Sequence, residues 1–467
     1  MDRLAAGTQL NRGAELTAAN GRTRLVMQAD GNLVLYRTDD DRALWASKTA
    51  GQPVNRAVMQ ADGNLVARTT DGRVGWASNT AGNPGAQLVL QDDGNLVIYA
   101  AGGGPLWSSG TVQWFGPVTV PGFLPSTRAP RFGNGPWPHG TQLSISVAGL
   151  PPATINATRM GLCGGMSFLT RDIVESGTSQ LRGTQSDRIP VGLAQHILGR
   201  LVDSFSGPKI VARWLALTRA PDEDSGVLGD GVFHQTIDEL PRIVGDVAAG
   251  KLCPIGLVLA RSYAPWAVFQ NHVVLVWGYE QHGDTLTLRT YDCNRPRRDD
   301  ITIKVDIGSS TAVTAITTNG TDMDSASGRV RGFFRLPYRR KSPAAAYIDD
   351  ATVTLAAAPA TRMVPGALAT VRLVATNTGS TTWTRQPAYQ LGSQAPPDNT
   401  TWGINRTSIS GNVDPGQNST FTLGVTAPAD PGSYDFGWRM RAAGGKWFGA
   451  ATPTLPITVS PDDGPSS

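Results

Sequence analysis

The sequence is poor in cysteine, in charge and in long apolar runs. Three cysteines occur in 467 residues, and because an odd number cannot form a complete disulfide framework, at least one thiol stays free. Charged residues make up 17%, and 41 basic against 37 acidic side chains give a net charge of +4. These charges are scattered rather than gathered in a stripe, so we expect no nucleic-acid partner. No stretch approaches the ~18 apolar residues that span a bilayer, which predicts no transmembrane segment.

Motifs that would assign a cofactor are also missing. The chain contains no H-E-x-x-H, no paired C-x-x-C, no G-x-x-x-x-G-K-[ST] and no G-x-S-x-G. We therefore predict no metal, no other cofactor and no serine nucleophile. The acidic loop 222–230 lacks EF-hand spacing and is interpreted as a solvated surface. The first residues, MDRLAAGTQLNRGAEL, lack the apolar core of a signal peptide.

The sequence is rich in glycine and proline, and it contains an internal repeat. The 54 Gly and 32 Pro favour short strands joined by turns, and the length exceeds the ~250–300 residues at which one core stops growing. Three segments align, each with a tryptophan 31 residues from the next: 26–49 with Trp45, 58–80 with Trp76, and 89–111 with Trp107. Each repeat predicts three short strands and an Asp-Gly hairpin turn. Since one repeat cannot bury its own apolar face, three should close around a shared axis with the tryptophans inside.

The first repeat places polar side chains on one strand face. Asn32, Val34 and Tyr36 alternate along a predicted strand, and Gln28 and Asp30 reach the same face across the hairpin. Sugar hydroxyls both donate and accept hydrogen bonds, while sugar C–H faces prefer an apolar surface. The pattern therefore predicts a sugar site. The third repeat carries the same set: Gln91, Asp93, Asn95, Val97 and Tyr99.

The second repeat departs from this set. It keeps Gln60, Asp62, Asn64 and Val66, but Arg68 stands where the others have tyrosine. The change removes a ring and a hydroxyl and adds a charge, so we interpret this as a degenerate site. An alternative for all three repeats is that the motif serves hairpin formation alone.

The five-residue set resembles the Q-x-D-x-N-x-V-x-Y motif of the bulb-type mannose-binding lectins. The resemblance implies a threefold all-β prism over residues 1–113 and mannose-containing glycans as partners. It also implies that Asp and Asn hold the axial 2-hydroxyl of mannose, Gln the 3-hydroxyl and Tyr the 4-hydroxyl. Shallow sites bind weakly, so two intact sites on one rigid prism would gain affinity through avidity.

The rest of the chain changes character several times. Prolines after the repeats favour irregular structure, helical periodicity with apolar strands after it indicates an α+β domain, and alternating segments near the end indicate strands. The predicted divisions are a linker at 114–140, an α+β domain at 141–338, a basic linker at 339–347, an all-β sandwich at 348–460 and a flexible tail at 461–467.

A thiol, an imidazole and a carboxylate in the α+β domain are candidates for catalysis. Cys163 stands in GLCGGMSFLTRDIV, which predicts a helix N-terminus, where free N–H groups favour the thiolate. The glycines after it would leave room for substrate. His272 opens the strand HVVLVWGYE, and Asp292 ends the next strand. Adjacent strands would set Asp292 beside His272 and leave the other ring nitrogen for Cys163.

The order Cys, then His about 110 residues later, then Asp 20 residues further resembles the papain-like cysteine peptidases, including the bacteriocin-processing type, over about 155–305. The resemblance implies attack by Cys163 on an amide carbonyl of a protein or peptide substrate.

The sequence departs from that family in two places. The C-G-x-C-W signature is absent, and Ala157 stands six residues before the cysteine, where the family has a glutamine that stabilises the oxyanion. Asn156 is the predicted substitute, with Gln142 as an alternative. Asn294 is a second candidate to orient His272.

The other thiols and imidazoles are assigned no catalytic role. We predict that Cys253 is buried by packing, and that Cys293 is either buried in the same way or a redox partner. His139, His196, His234 and His282 lack a comparable setting.

The tryptophan-bearing segments NTGSTTWT, TTWGINR, SYDFGWRM and KWFG resemble the tryptophan-rich Ig-like domain of autophagy cargo receptors and its bacterial relatives. Four tryptophans are expected mostly in the core: Trp383, Trp402, Trp438 and Trp447. A docking surface for a partner or a wall polymer is the alternative.

These features together predict an exported bacterial protein in which a mannose-type lectin delivers a cysteine hydrolase, a peptidase in the simplest version. Secretion is expected from the domains, although no signal peptide is visible. One alternative is a non-enzymatic lectin-type adhesin or bacteriocin with an inactive papain-like scaffold. Another is a cell-wall amidase or acyl transferase that uses the same triad.

Overall fold

The computed structural model describes residues 2–145, 153–156, 161–205, 207–225, 230–309, 315–320 and 330–461, with the backbone alone at 143–145, 153–156 and 265–266. The chain forms two units. Unit 1 comprises Met1–Val118, Gly278–Leu288 and Lys304–Ser310, and unit 2 comprises Thr119–Trp277, Arg289–Ile303 and Thr311–Ser467.

The repeats of unit 1 fold into antiparallel sheets. Their strands are β1 (Arg3–Leu4), β2 (Gln9–Asn11), β3 (Glu15–Thr17), β4 (Thr23–Met27), β5 (Leu33–Arg37), β6 (Ala43–Ala46), β7 (Val54–Met59), β8 (Leu65–Thr69), β9 (Val74–Ala77), β10 (Gln87–Leu90), β11 (Leu96–Tyr99) and β12 (Pro105–Ser108). The sheet orders are β3-β4-β5-β6, β2-β7-β8-β9 and β1-β10-β11-β12. Each repeat supplies the three predicted strands, and the segment before the first repeat supplies a fourth strand to every sheet. Because β1 pairs with the third repeat, the start of the chain closes the ring.

The three repeat tryptophans contact one another. The rings of Trp45, Trp76 and Trp107 meet edge to face, with centroids 5.1, 5.5 and 5.6 Å apart, a geometry that aromatic pairs favour. They pack against a core of leucine, alanine and methionine side chains from all three sheets. The contact predicted from the 31-residue spacing is observed.

The Asp-Gly turns need glycine. Gly31 and Gly63 both have φ of +90°, and a Cβ at either position would collide with the backbone carbonyl oxygen of Gln52 or Asn83. Since other residues avoid positive φ, these glycines fix the hairpins that present the motif residues.

After the repeats, the chain forms a region of helices and strands, of which Thr119–Trp277 and Arg289–Ile303 belong to unit 2. Its elements are β13 (Val118–Thr119), α1 (Pro125–Arg128), β14 (Gln142–Ile145), β15 (Ala153–Asn156), α2 (Cys163–Glu175), α3 (Val191–Ser204), α4 (Pro208–Arg219), α5 (Val232–Ala248), β16 (Cys253–Val258), β17 (His272–His282), β18 (Thr285–Tyr291), β19 (Thr302–Asp306), β20 (Ile316–Thr318) and β21 (Gly332–Arg335). The main sheet has the order β20-β19-β18-β17-β16-β21. The predicted order of helices followed by strands is observed, with α2 to α5 preceding β16 to β18.

The predicted linkers are packed rather than free. Within 114–140, the side chains of Phe123, Phe132 and Trp137 are buried, and the Phe123 ring packs against Trp277 with centroids 6.2 Å apart. The segment is irregular over most of its length, as its prolines predict, but the apolar area that these aromatic rings bury holds it in place. The basic stretch 339–347 is also anchored, because the Lys341 N–H donates to Asp172 at 2.9 Å.

The C-terminal part of unit 2 is all β. Its strands are β22 (Ala351–Ala357), β23 (Arg362–Met363), β24 (Leu368–Asn377), β25 (Gln390–Ser393), β26 (Arg406–Ser408), β27 (Asn418–Thr426), β28 (Gly432–Phe436), β29 (Trp438–Arg441), β30 (Trp447–Phe448) and β31 (Leu455–Val459). Three short sheets, β22-β24-β27, β23-β31-β28 and β26-β25-β29-β30, enclose one core. Trp383, Trp402 and Trp438 are buried in it as expected, whereas Trp447 is partly exposed. Among the helices that the structure describes, none is long and apolar enough to cross a bilayer.

Candidate catalytic and sugar-binding sites

Cys163 is the first residue of α2, as its sequence context predicts. The thiol is partly exposed. The preceding N–H group, that of Leu162, donates to Oδ1 of Asn134 at 2.5 Å. The cysteine therefore lies at a helix N-terminus that a side chain from another segment holds in place.

The two glycines after Cys163 have a different role from the one expected. Both are buried, and a Cβ at Gly165 would overlap the carbonyl oxygen of Ile197 in α3, while one at Gly164 would overlap Oγ of Ser204. The glycines therefore let α2 and α3 approach closely. The interpretation that they make room for substrate is wrong, because the space beside them is filled by α3.

His272 and Asp292 meet inside unit 2. His272 begins β17 and Asp292 directly follows β18, and these two strands are neighbours in the sheet. Nε2 of His272 lies 2.8 Å from Oδ1 of Asp292, and both side chains are buried. With Nε2 engaged, Nδ1 is the ring nitrogen left for the Cys163 thiol, whose proximity is one of the causes that raise the pKa of the imidazole.

The electrostatic surroundings favour a protonated imidazole. Burial acts to lower the pKa of His272, but Asp292 and Cys163 act in the opposite direction and raise it to about 10. Burial is the largest single influence on this pKa, but Asp292 and Cys163 together outweigh it, because negative groups nearby favour the charged form of the imidazole. At neutral pH, His272 therefore carries a proton beside Cys163.

Asn294 supports the carboxylate instead of replacing it. Its backbone N–H donates to the same Asp292 oxygen at 2.9 Å, and its side-chain oxygen accepts from Nδ2 of Asn134 at 3.0 Å. The structure thus brings Asp292, and not the Asn294 side chain, to His272.

The sequence did not predict the contacts of Asn134. It lies in the proline-rich segment taken for a linker, yet it bridges the start of α2 and the residue two positions after Asp292. A lone asparagine between two glycines carries no signal for this contact, which depends on how distant segments pack.

The structure describes the side chain of only one of the two predicted oxyanion donors. Asn156 is the last residue of β15, but its side chain lies outside the described residues. Gln142, its alternative, is exposed at the start of β14. The start of α2, where Cys163 lies, also offers N–H groups that lack helical partners.

The remaining thiols are buried. Burial raises the pKa of the Cys253 thiol above its usual range and that of Cys293 well above it. Raised values of this kind suppress the nucleophilic thiolate. Neither thiol is therefore a candidate nucleophile.

Two groups of side chains in the described residues lie close enough to share a cation. One combines His272 and Asp292 with Cys293, and the other is the exposed set Asp224, Asp230 and His234.

The first sugar motif forms a rigid polar cluster. The N–H of Asn32 donates to Oδ1 of Asp30 at 2.9 Å. Oδ1 of Asn32 accepts from Oγ of Ser47 and from the N–H of Thr49, both at 3.1 Å. Nε2 of Gln28 donates to the Tyr36 hydroxyl at 2.8 Å. Each motif side chain is thus fixed through one polar atom, which leaves Oδ2 of Asp30 and Nδ2 of Asn32 without a partner among the described residues.

The third motif repeats this geometry. Asn95 N–H donates to Asp93 at 2.9 Å, and Nε2 of Gln91 donates to the Tyr99 hydroxyl at 3.0 Å. The three valines, Val34, Val66 and Val97, are 2%, 1% and 3% exposed. They therefore form the floor beneath the polar groups and do not offer the open apolar surface that we expected for sugar C–H faces.

The N-terminal part is similar to the bulb-type mannose-binding lectins, and this similarity covers about 24% of the chain. No protein-family model matches the sequence, and no curated protein matches it either.

Three solved structures illustrate the similarity. A monomeric monocot mannose-binding lectin from Gastrodia elata is 45% identical, with 24% of this chain and 99% of that chain covered and a TM-score of 0.22. The mannose-specific snowdrop (Galanthus nivalis) agglutinin in complex with methyl-α-D-mannoside is 39% identical, with 24% and 97% covered and a TM-score of 0.20. A domain-swapped lectin dimer from Mycobacterium smegmatis is 49% identical, with 23% and 98% covered and a TM-score of 0.15.

Proposed function

We propose that this protein is a glycan-targeted cysteine hydrolase: the sugar sites hold mannose-containing glycans, and Cys163 cleaves an amide bond in a protein or peptide. The observation that carries the catalytic half is the 2.8 Å contact between His272 and Asp292 beside the thiol of Cys163. A nucleophile, a base in contact with it and a buried group that orients the base are the parts that thiol catalysis needs.

The proposed reaction has two stages. Sγ of Cys163 attacks the carbonyl carbon, and as the C–N bond breaks, His272 donates its proton to the departing amine. The product is a thioester on Cys163. In the second stage, His272 takes a proton from water as the water attacks the thioester, the C–S bond breaks, and His272 returns the proton to the thiolate. Asp292 stabilises the imidazolium in both stages.

The sugar half rests on the unpartnered polar atoms of the first and third motifs. A hexose hydroxyl can donate to the free oxygen of Asp30 and accept from the free amide of Asn32 without any rearrangement, since both side chains are already held. Preformed sites of this kind avoid the cost of ordering side chains on binding. Two such sites on one chain increase the avidity for surfaces that carry many mannose residues.

A thiol-directed probe tests the catalytic half. Iodoacetamide under native conditions should label Cys163 and leave the buried Cys253 and Cys293 unmodified until the protein is unfolded. Because Cys163 is also the most exposed thiol, the decisive comparison is His272→Gln, which should slow labelling of Cys163 at least tenfold at neutral pH. Equal labelling of all three thiols, or labelling of Cys163 that does not depend on His272, would contradict the proposal.

A further inference from the structure

The second sugar motif keeps the frame of the other two. The N–H of Asn64 donates to Oδ1 of Asp62 at 3.0 Å, and Oδ1 of Asn64 accepts from Ser78 at 3.0 Å and from the Thr80 N–H at 3.2 Å. These distances match those of the first motif within about 0.1 Å. The carboxylate and amide that face a ligand are therefore in place, and the motif differs at the tyrosine position alone.

At that position, two arginines face each other. Arg68 on β8 is directly opposite Arg56 on β7, and directly opposite residues on antiparallel strands share a face with their Cβ atoms ~5 Å apart. The corresponding cross-strand pairs are Arg24 with Tyr36 in the first motif and Gln87 with Tyr99 in the third. A pair of like charges is thus a feature of the second repeat, and such a pair destabilises a sheet unless an anion offsets it.

No carboxylate of the described residues neutralises this pair. Nη1 of Arg68 donates to the carbonyl oxygen of Gly72 at 2.7 Å, and Nη1 of Arg56 donates to the amide oxygen of Asn55 at 3.0 Å. Both acceptors are uncharged, and most of the five N–H donors of each guanidinium are left over. By contrast, Arg24 in the first motif is paired with Asp41 at 2.9 Å and stacks on the Tyr36 ring.

We propose that the second motif, which resembles a degenerate neutral-sugar site, binds an acidic hexose whose carboxylate or phosphate lies against Arg56 and Arg68. The inference rests on the proposed glycan-binding function. Asp62 and Asn64 take ring hydroxyls at one end, and the two guanidiniums take the anion at the other. Guanidinium binds both carboxylate and phosphate through paired N–H donors, so the structure defines an anionic sugar and leaves two sources for the charge.

Calorimetric titration of the full chain tests this inference. The ligands are methyl α-mannoside, a mannuronate oligosaccharide, mannose 6-phosphate and inorganic phosphate, each at low and high salt. We expect neutral mannoside to bind at two sites per chain. At least one acidic sugar should bind at one further site, at least tenfold more tightly than inorganic phosphate does, and this binding should weaken in high salt. The stronger of the two acidic ligands identifies the source of the charge.

Substitutions distinguish the possible outcomes. Arg68→Tyr should abolish the additional acidic-sugar site and raise the number of neutral mannoside sites from two to three, while Arg68→Lys should retain part of the acidic-sugar binding. Arg56→Gln, which installs the residue type of the third repeat, should weaken acidic-sugar binding three- to tenfold and leave neutral mannoside unaffected. The inference is overturned if the wild-type chain does not bind an acidic sugar, if Arg68→Tyr binds it as well as wild type does, or if inorganic phosphate binds equally tightly. If the wild-type chain binds an acidic sugar but no neutral mannoside, only the proposed mannose specificity is overturned.

Discussion

His272 and Asp292 are joined at 2.8 Å between Nε2 and Oδ1, and this contact raises the pKa of the imidazole next to Cys163. The two residues are 20 positions apart and meet because β17 and β18 are adjacent strands joined by a two-residue turn. The backbone N–H of Asn294 holds the same carboxylate oxygen. Removing the carboxylate charge should therefore change the chemistry of His272 more than its position.

Asp292→Asn should lower the pKa of His272 from about 10, because burial, which opposes the charged form, is then no longer offset by a carboxylate. The measurement is an NMR titration of the His272 imidazole in the wild-type protein and in the variant. Asp300→Asn, which changes an exposed carboxylate paired with Arg298, is the control and should leave the titration unchanged. An imidazole that titrates at the same pH in Asp292→Asn and in wild type would contradict this electrostatic description.

The same raised pKa predicts how stability depends on pH. A histidine whose pKa is about 10 in the folded state and ~6.5 in the unfolded state stabilises the fold fully below pH ~6.5 and loses this contribution as the pH rises through about 10. In that interval the free energy of unfolding should fall by up to ~1.4 kcal/mol per pH unit from this group. Urea unfolding at several pH values measures the slope, and His272→Gln should be flatter than wild type over the same range. A wild-type stability that rises across this interval would contradict the assignment.

Asn134 should position the nucleophile. Asn134→Ala removes the acceptor for the Leu162 N–H and the donor to Asn294, so we expect the rate of Cys163 alkylation to fall about tenfold, with a loss of stability of ~1 kcal/mol. Asn134→Asp keeps the acceptor and should recover part of the alkylation rate. If both variants lose stability but alkylate at the wild-type rate, Asn134 is purely structural.

The buried ion pair between α2 and α3 should be a major contribution to the stability of unit 2. The Asp172 and Arg200 side chains are 0% and 2% exposed and lie 2.7 Å apart. Asp172→Ala leaves the buried arginine with Asp203 as its remaining carboxylate partner and removes the acceptor of the Tyr338 hydroxyl and of the Lys341 N–H. The free energy of unfolding should therefore fall by about 3 kcal/mol. The exposed pair of Arg298 and Asp300 supplies the comparison, since Asp300→Ala should cost ~1 kcal/mol or less. Similar small losses of unfolding free energy in both variants would contradict a strong dependence of stability on the ion pair between Asp172 and Arg200.

Glycan binding should depend on the hydroxyl groups of two tyrosines. Tyr36→Phe and Tyr99→Phe each remove a hydroxyl that contacts a glutamine amide while keeping the ring, so affinity at each altered site should fall about three- to tenfold. The double variant should lose more than either single variant on a mannose-coated surface because avidity is lost. Thr354→Val, on an exposed strand position of the C-terminal part, is the matched control. Unchanged binding by the double variant would show that these motifs do not bind mannose through tyrosine.

Features that depend on residues close together in the sequence were predictable from sequence patterns. The 31-residue repeat, the Asp-Gly turns and the helix beginning at Cys163 all follow from periodicity and turn chemistry, and the structure has each of them. The proximity of His272 and Asp292 was also predictable, because a short turn forces two consecutive strands together.

Contacts between distant segments were not predictable from such patterns. Nothing local links Asn134 to Leu162, and nothing local reveals that Gly165 faces the Ile197 carbonyl and not open space. The burial of Phe123 likewise depends on Trp277, 154 residues further along the chain. Proline content alone therefore did not reveal that aromatic side chains of the segment 114–140 are buried.

The most direct test of the central claim compares the wild-type chain with Cys163→Ala on an unfolded protein carrying mannose-rich glycans and on the same protein without glycans. Muropeptides and amine acceptors are included for the amidase and acyl-transferase alternatives, and Cys253→Ala is the control. Wild type and Cys253→Ala should cleave the glycosylated protein faster than the bare one, with new termini identified by mass spectrometry, and Cys163→Ala should cleave neither. Equal turnover by Cys163→Ala, or no reaction on any of these substrates by the wild-type chain, would contradict the account and favour a non-enzymatic adhesin.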